Sequence, residues 1–189
     1  MIELQRGDEM PLQRADGTPY HRLTMGVGWD KKAGAGALSG SNTPDVDLDA
    51  SAIQYAGDQL FDLAFFNHLQ TRDGSVTHLG DNISGRGEGD DEQITVDLST
   101  VYPKVDTILF LVSSYQGHSL EFVRHAYCRL LDEEHEELAR FTLAGGVPRT
   151  GFMLAKMTRD DDAWRLRAIG QGIAVTVPTD SLDVLQRFV

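Results

Sequence analysis

Residues Gly80 to Asp97 read GDNISGRGEGDDEQITVD, an acidic loop punctuated by glycine that runs directly into a strand-like segment. Asp81, Glu88, Asp90, Asp91, Glu92 and Asp97 face a single base, Arg86, so the stretch is short of positive charge. Gly85, Gly87 and Gly89 let the backbone curl its carbonyls inward. A hard cation such as Ca²⁺ takes about 6–8 oxygen ligands from carboxylates, amide and backbone carbonyls and water, and Asn82 adds an amide to the acids. The spacing is not that of an EF-hand, which alternates acids around a central glycine and closes on a glutamate between two helices. Taken alone, such a run is a solvated surface turn.

A second acidic element changes that balance. In Asp45-Val46-Asp47-Leu48-Asp49-Ala50-Ser51 acids alternate with apolar residues, and strand periodicity puts the three aspartates on one face. Like charges stacked on a strand repel, and aspartate has poor strand propensity. A cation resolves the conflict; a charged edge strand that resists aggregation is the structural alternative. Asp47 and Asp49 are candidate ligands.

The chain has 189 residues, suited to one domain spanning 1–189 with a sizeable core. With 29 acids against 17 bases the formal net charge is −12, which opposes binding to nucleic acid through its phosphates. Cys128 is the single cysteine, so there is no disulfide framework and no cysteine-based zinc site; a buried, inert thiol is expected. MIELQRGDEM lacks a basic region followed by an apolar core, and no run reaches the roughly 18–20 apolar residues of a transmembrane span. These features predict a soluble cytoplasmic protein, where scarce calcium favours a tight or transiently filled site.

Outward from the acidic loop the chain reads as short strands between turns. Arg22 to Trp29, Asp62 to Asn67, Gln93 to Leu98, Ala126 to Leu131 and Glu137 to Leu143 are strands. Lys31 to Pro44 is a loop, and Thr71 to Ser75 a turn carrying a hairpin into Val76 to Leu79. Thr107 to Ser113, TILFLVS, is apolar throughout and expected to be central. Ser119 to His125 opens as a short helix capped by Ser119. Gly151 to Thr158 and Ala163 to Ile169 form a hairpin around Arg159 to Asp162. The tail has Leu182, Val184, Leu185 and Phe188 at near-helical spacing, with Asp180 or Ser181 able to cap it. The expected fold is mainly β, a β-sandwich of two sheets with one or two short helices.

GVGWD at Gly26 to Asp30, DLDAS at Asp47 to Ser51, FFN at Phe65 to Asn67, DGSV at Asp73 to Val76, the GDN to GDDE element at Gly80 to Glu92, VDLS at Val96 to Ser99 and WRLRAIGQG at Trp164 to Gly172 follow in an order that resembles the TerD family of tellurite-resistance and stress-response proteins. The resemblance covers nearly the whole chain. It implies a β-sandwich holding Ca²⁺, two ions, where these loops meet, in a bacterial cytoplasmic protein that works with other stress-response proteins, sometimes at the surface of the inner membrane. Carried onto matching positions, the metal ligands it implies are Asp47, Asp49, Asp81, Asn82, Asp90, Asp91 and Glu92, with Glu88 and carbonyls near Gly85 and Gly87 completing the shell. Asp30 and Asp73 are then supporting or turn residues. The opening MIELQRGDEMPLQ, the loop Lys31 to Pro44 and the tail VTVPTDSLDVLQRFV depart from the family pattern.

Two functional classes fit these residues. In one, a calcium-binding interaction module uses ions to order a surface for partners. In the other, a divalent-metal-dependent hydrolase uses paired ions on phosphoesters, with His68 or His78 moving a proton. No histidine recurs at metal-ligand spacing, and no nucleophile elbow or phosphate loop exists in the sequence. Binding is therefore expected over catalysis.

Overall fold

A computed structural model describes residues 1–31, 47–80, 89–142, 146–161 and 163–189. In chain order its strands are β1 (Ile2–Glu3), β2 (Glu9–Pro11), β3 (Arg22–Lys31), β4 (Asp49–Ala56), β5 (Gln59–Ala64), β6 (Val76–His78), β7 (Glu92–Asp97), β8 (Thr107–Ser113), β9 (Val123–Leu131), β10 (Glu137–Thr142), β11 (Gly151–Asp160) and β12 (Ala163–Ile173). They form two six-stranded sheets, ordered β1-β10-β9-β3-β7-β6 and β2-β12-β11-β8-β4-β5. The β1–β10 pair is parallel and the remaining ladders are antiparallel. The sandwich expected from the alternating strands is the architecture found.

Between the sheets, Leu23, Met25, Val27 and Trp29 of β3 and Ile94 and Val96 of β7 pack toward Ile108, Phe110 and Val112 of β8 and Leu154 and Leu166 of the second sheet. The alternate residues of β7 face outward and are half-buried, as expected for an antiparallel sheet, whereas on β3 the outward Thr24, Gly26 and Gly28 are buried as well. The second sheet departs from that pattern, because both of its faces are covered. Ile53, Tyr55, Leu109, Leu111 and Met153 form a smaller cluster on its other side, closed by Ile173, Val175 and Leu185. This is why TILFLVS is apolar without alternation: β8 lies between β11 and β4 and is buried at all seven positions.

The tail that covers this face is a single-turn helix, α1 (Leu182–Leu185), followed by a 3-10 turn at Gln186–Phe188. Neither Asp180 nor Ser181 caps it through a side chain; Ser181 is the N-cap residue but makes no side-chain cap bond. The Ser119 region also winds less than expected, since a 3-10 turn occupies only Leu120–Phe122 before β9 begins at Val123. Ser119 Oγ does accept from Glu121 N, at 3.4 Å. β5 stops at Ala64 because Phe65 and His68 exchange backbone hydrogen bonds in a tight turn. The hairpin around Thr71–Ser75 therefore pairs Leu69 and Gln70, not DLAFFN, with Thr77 and His78. β5 and β6 lie in different sheets. Among the described residues no helix is long and apolar enough to cross a membrane.

Cys128 is buried, and loss of hydration pushes its thiol up to about 12. It should resist thiol reagents in the native state and react fully once unfolded, which a colorimetric thiol assay with and without denaturant checks. Leu185 is fully buried under the second sheet. Leu185→Ala should cost about 2–5 kcal/mol of unfolding free energy in urea melts.

Candidate metal-binding site

The two acidic elements meet at the start of β4 and the start of β7. On β7 the inward positions are Glu92, Ile94 and Val96, so Glu92 points between the sheets, where its side chain is fully buried. Its Oε2 accepts the backbone N–H of Ala50 on β4 at 2.6 Å. A residue of the GDDE element thus holds the backbone of the DLDAS element across the sandwich. Burying a carboxylate demands hydrogen bonds and positive charge in return for lost hydration.

His78, on the neighbouring strand β6, has its Nε2 3.3 Å from the same Glu92 oxygen and is equally buried. Its Nδ1 accepts Gly80 N–H at 3.1 Å, which assigns the ring proton to Nε2, facing Glu92. The imidazole therefore orients the carboxylate and anchors the point where the chain enters the acidic loop. Asp91 lies one residue earlier and extends the β3–β7 pairing: its N–H donates to Val27 O at 2.8 Å and its Oδ2 accepts Trp29 N–H at 2.9 Å.

On the other side, β4 begins at Asp49, and Leu48 just before it is buried in the main core. Asp49 is itself buried, and its Oδ2 accepts Tyr115 N–H at 3.3 Å. Asp47 is half-buried just before the strand. Asp81, Asn82 and Glu88, together with Asp45, lie outside the described residues. Among the described residues no group of three or more His, Cys, Asp or Glu side chains is arranged to hold a metal ion.

Asp90 is placed apart from its neighbours. Its carboxylate lies over Gly26, where a Cβ would come within 2.1 Å of Oδ2, on the outward face of the first sheet. Arg129 grips it with two bonds, Nε to Oδ1 at 2.7 Å and Nη2 to Oδ2 at 3.2 Å. Gln93 Nε2 donates to it at 2.9 Å and Tyr127 Oη at 3.2 Å. The geometry is set by cross-strand register: Gly26 stands opposite Arg129 and Gln93, and Gly28 opposite Tyr127. A side chain at Gly28 would strike the Tyr127 ring at 2.5 Å. The two glycines of GVGWD are the floor on which this cluster sits. Arg129 was not singled out from sequence; the available signal was Tyr127 and Arg129 at alternating positions of one strand, with Gly26 and Gly28 at matching spacing on another.

The cluster continues along the same face. Glu137 accepts from Arg140 at 2.7 Å and from Arg129 at 3.2 Å, and these hydrogen bonds, Arg140 first, hold its carboxyl below the usual range. The Arg140 guanidinium stacks over the Tyr127 ring at 4.2 Å. Asp73 serves its turn instead: burial pushes its carboxyl up, but hydrogen bonds from Tyr102 N–H, Thr71 and Ser75 outweigh that and leave it lowered.

The TerD domain model matches residues 1–179. The chain belongs to the TerD domain family. Tellurium resistance protein TerZ of Serratia marcescens is 34% identical over 174 residues, covering 90% of this chain and 89% of its own. Stress response protein SCP2 of Bacillus subtilis (strain 168) is 31% identical over 201 residues, covering 100% of this chain and 99% of its own. A Streptomyces coelicolor A3(2) homologue of telluride resistance protein (TerD) shares the fold, with a TM-score of 0.70 at 19% identity, covering 86% of this chain and 95% of that one.

Two predictions follow from the outward cluster of this TerD-domain protein. Because the Glu137 carboxyl is lowered, its stabilising contribution is complete above the ordinary carboxylate range and fades as pH falls through its folded-state value; Glu137→Gln should flatten the acid limb of stability against pH in urea melts. Gly26→Ala should displace Asp90 from Arg129 and destabilise the fold by about 1–3 kcal/mol, the cost of stranding a hydrogen-bonded charge, read by thermal melting.

Proposed function

We propose that this TerD-domain protein is a calcium-binding interaction module of the tellurium-resistance and stress-response type. The observation that supports it most is the 2.6 Å hydrogen bond from Ala50 N–H to Glu92, which puts the DLDAS and GDDE segments side by side. Asp47, Asp49, Asp91 and Glu92 offer hard oxygen donors, the chemistry Ca²⁺ requires. Asp81, Asn82 and Glu88 are called on to complete the shell. When bound, the ion would supply the positive charge that these segments lack.

The chain's own residues prepare that step. Glu92 ties the two sheets at the base of the loop, His78 fixes the Glu92 carboxylate and the loop's entry at Gly80, and Asp91 continues the ladder to β3. Asp90 is fixed on the outer face by Arg129. A hydrolase would ask His68 or His78 to move a proton, and both ring nitrogens of His78 are already engaged. Binding is accordingly the function assigned, with resistance to tellurium compounds or other chemical stress as its cellular role, in keeping with the names of its relatives.

Calcium titrated by calorimetry into chelator-stripped protein should bind saturably and raise the melting temperature. Asp49→Asn should weaken that affinity about tenfold or more. Asp90→Asn should leave calcium affinity unchanged while lowering the melting temperature with or without the ion. No binding up to millimolar calcium would overturn the proposal.

A further inference from the structure

A second charged feature lies far from the acidic loop in character. On the outward face of the second sheet, Lys156 of β11 stands directly opposite Arg167 of β12 in the antiparallel register. Like charges at opposed cross-strand positions destabilise a sheet, and here they persist in a chain whose formal net charge is −12. They line one cavity of about 310 Å³, together with Arg6 from the N-terminal segment, Gln171 from β12 and Arg187 from the C-terminal turn.

Among the described side chains countercharge is thin, and Val189 also borders the cavity. Glu9 of β2 reaches Arg167 Nε at 3.6 Å, but it also serves Arg165 at 3.7 Å. Lys156 is half-buried, and its Nζ donates to Phe188 O at 2.9 Å, which leaves two of the three ammonium donors. Arg6 Nη2 contacts Gln171 Oε1 at 3.4 Å. Among the described residues Arg187 makes no hydrogen bond or ion pair through its guanidinium. Loss of hydration first, and then Arg167, lower the Lys156 ammonium, as expected for a cation facing a cation in a partly closed space.

We propose that this cavity is an anion site for a small phosphate-bearing molecule, with Lys156 and Arg167 forming its floor and Arg6 and Arg187 its sides. Its volume is at the lower end of small-molecule pockets, about 300–1,000 Å³, which suits a compact phosphoester. Guanidinium groups match phosphate oxygens in pairs, and the ammonium adds a point charge. The bound dianion relieves the opposed Lys156–Arg167 pair, so occupancy also ties the C-terminal turn and the N-terminal segment to the sheet. None of this depends on calcium.

Glycerol 3-phosphate, titrated by calorimetry into chelator-stripped protein in chelator-free, low-salt buffer, is the probe. It should bind one to one, raise the melting temperature and lose affinity as salt rises. Arg167→Gln and Arg187→Gln, both exposed side chains, should each weaken binding about tenfold, the effect of one charge-assisted contact. Arg167→Gln should at the same time raise the melting temperature of the ligand-free protein by removing the like-charge pair. Absence of saturable binding, or unchanged affinity in the double variant, overturns the proposal. Capture on phosphatidic acid vesicles without binding of the soluble phosphoester overturns it too, in favour of a membrane-surface role.

Discussion

The second sheet has to be covered on both faces, and much of the molecule is arranged around that requirement. Its inner face meets the first sheet through Ile108, Phe110 and Val112, and its outer face presents Ile53, Tyr55, Leu109 and Leu111. Apolar area on that scale cannot be left in water, since each fully buried aliphatic or aromatic side chain is worth about 1.5–3 kcal/mol. The chain after β12 therefore folds back, and Val175 and Leu185 close the cluster. The same return brings Arg187 and Phe188 beside Lys156 and Arg167, so the basic cavity is formed where the covering turn meets the sheet.

The two sheets are also joined by polar contacts, and these cluster where the acidic loop begins and ends. Glu92 crosses to Ala50, and His78 supports Glu92 while receiving Gly80 N–H. Directly behind this, on the outer face, Asp90 is held by Arg129, Gln93 and Tyr127 over Gly26. Consecutive residues of the GDDE element thus have opposite duties. Asp90 belongs to a salt-bridged outer cluster, whereas Asp91 and Glu92 tie the loop to β3 and β4. The Asp90 charge is matched by a bidentate guanidinium, whereas its two successors bond backbone N–H groups of β3 and β4.

Local pattern made the strands of the sandwich legible. The alternation in Gln93 to Leu98 and the unbroken apolar run of TILFLVS translate directly into one-sided and two-sided burial because side-chain direction has period two along a strand; Arg22 to Trp29 also forms a strand, but its outward residues from Thr24 to Gly28 are buried too. The two-residue and three-residue strands β1 and β2 were not legible, because so short a segment carries no period and is held by its partners β10 and β12. The 3-10 turn at Leu120–Phe122 and the hairpin arm at Leu69–Gln70 were likewise settled by neighbouring segments and not by propensity.

The residues by themselves determined that the chain is an acidic β-sandwich of the TerD type, with two carboxylate-rich segments and one inert thiol, since composition, periodicity and motif order are all local quantities. Only the tertiary structure decided which charges meet. Asp90 and Arg129 are 39 positions apart, Glu92 and Ala50 are 42 apart, and Lys156 and Arg167 oppose each other through the register of a hairpin. Pairings of that kind depend on how strands are ordered and aligned in a sheet, and a one-residue slip would turn each of these side chains to the other face.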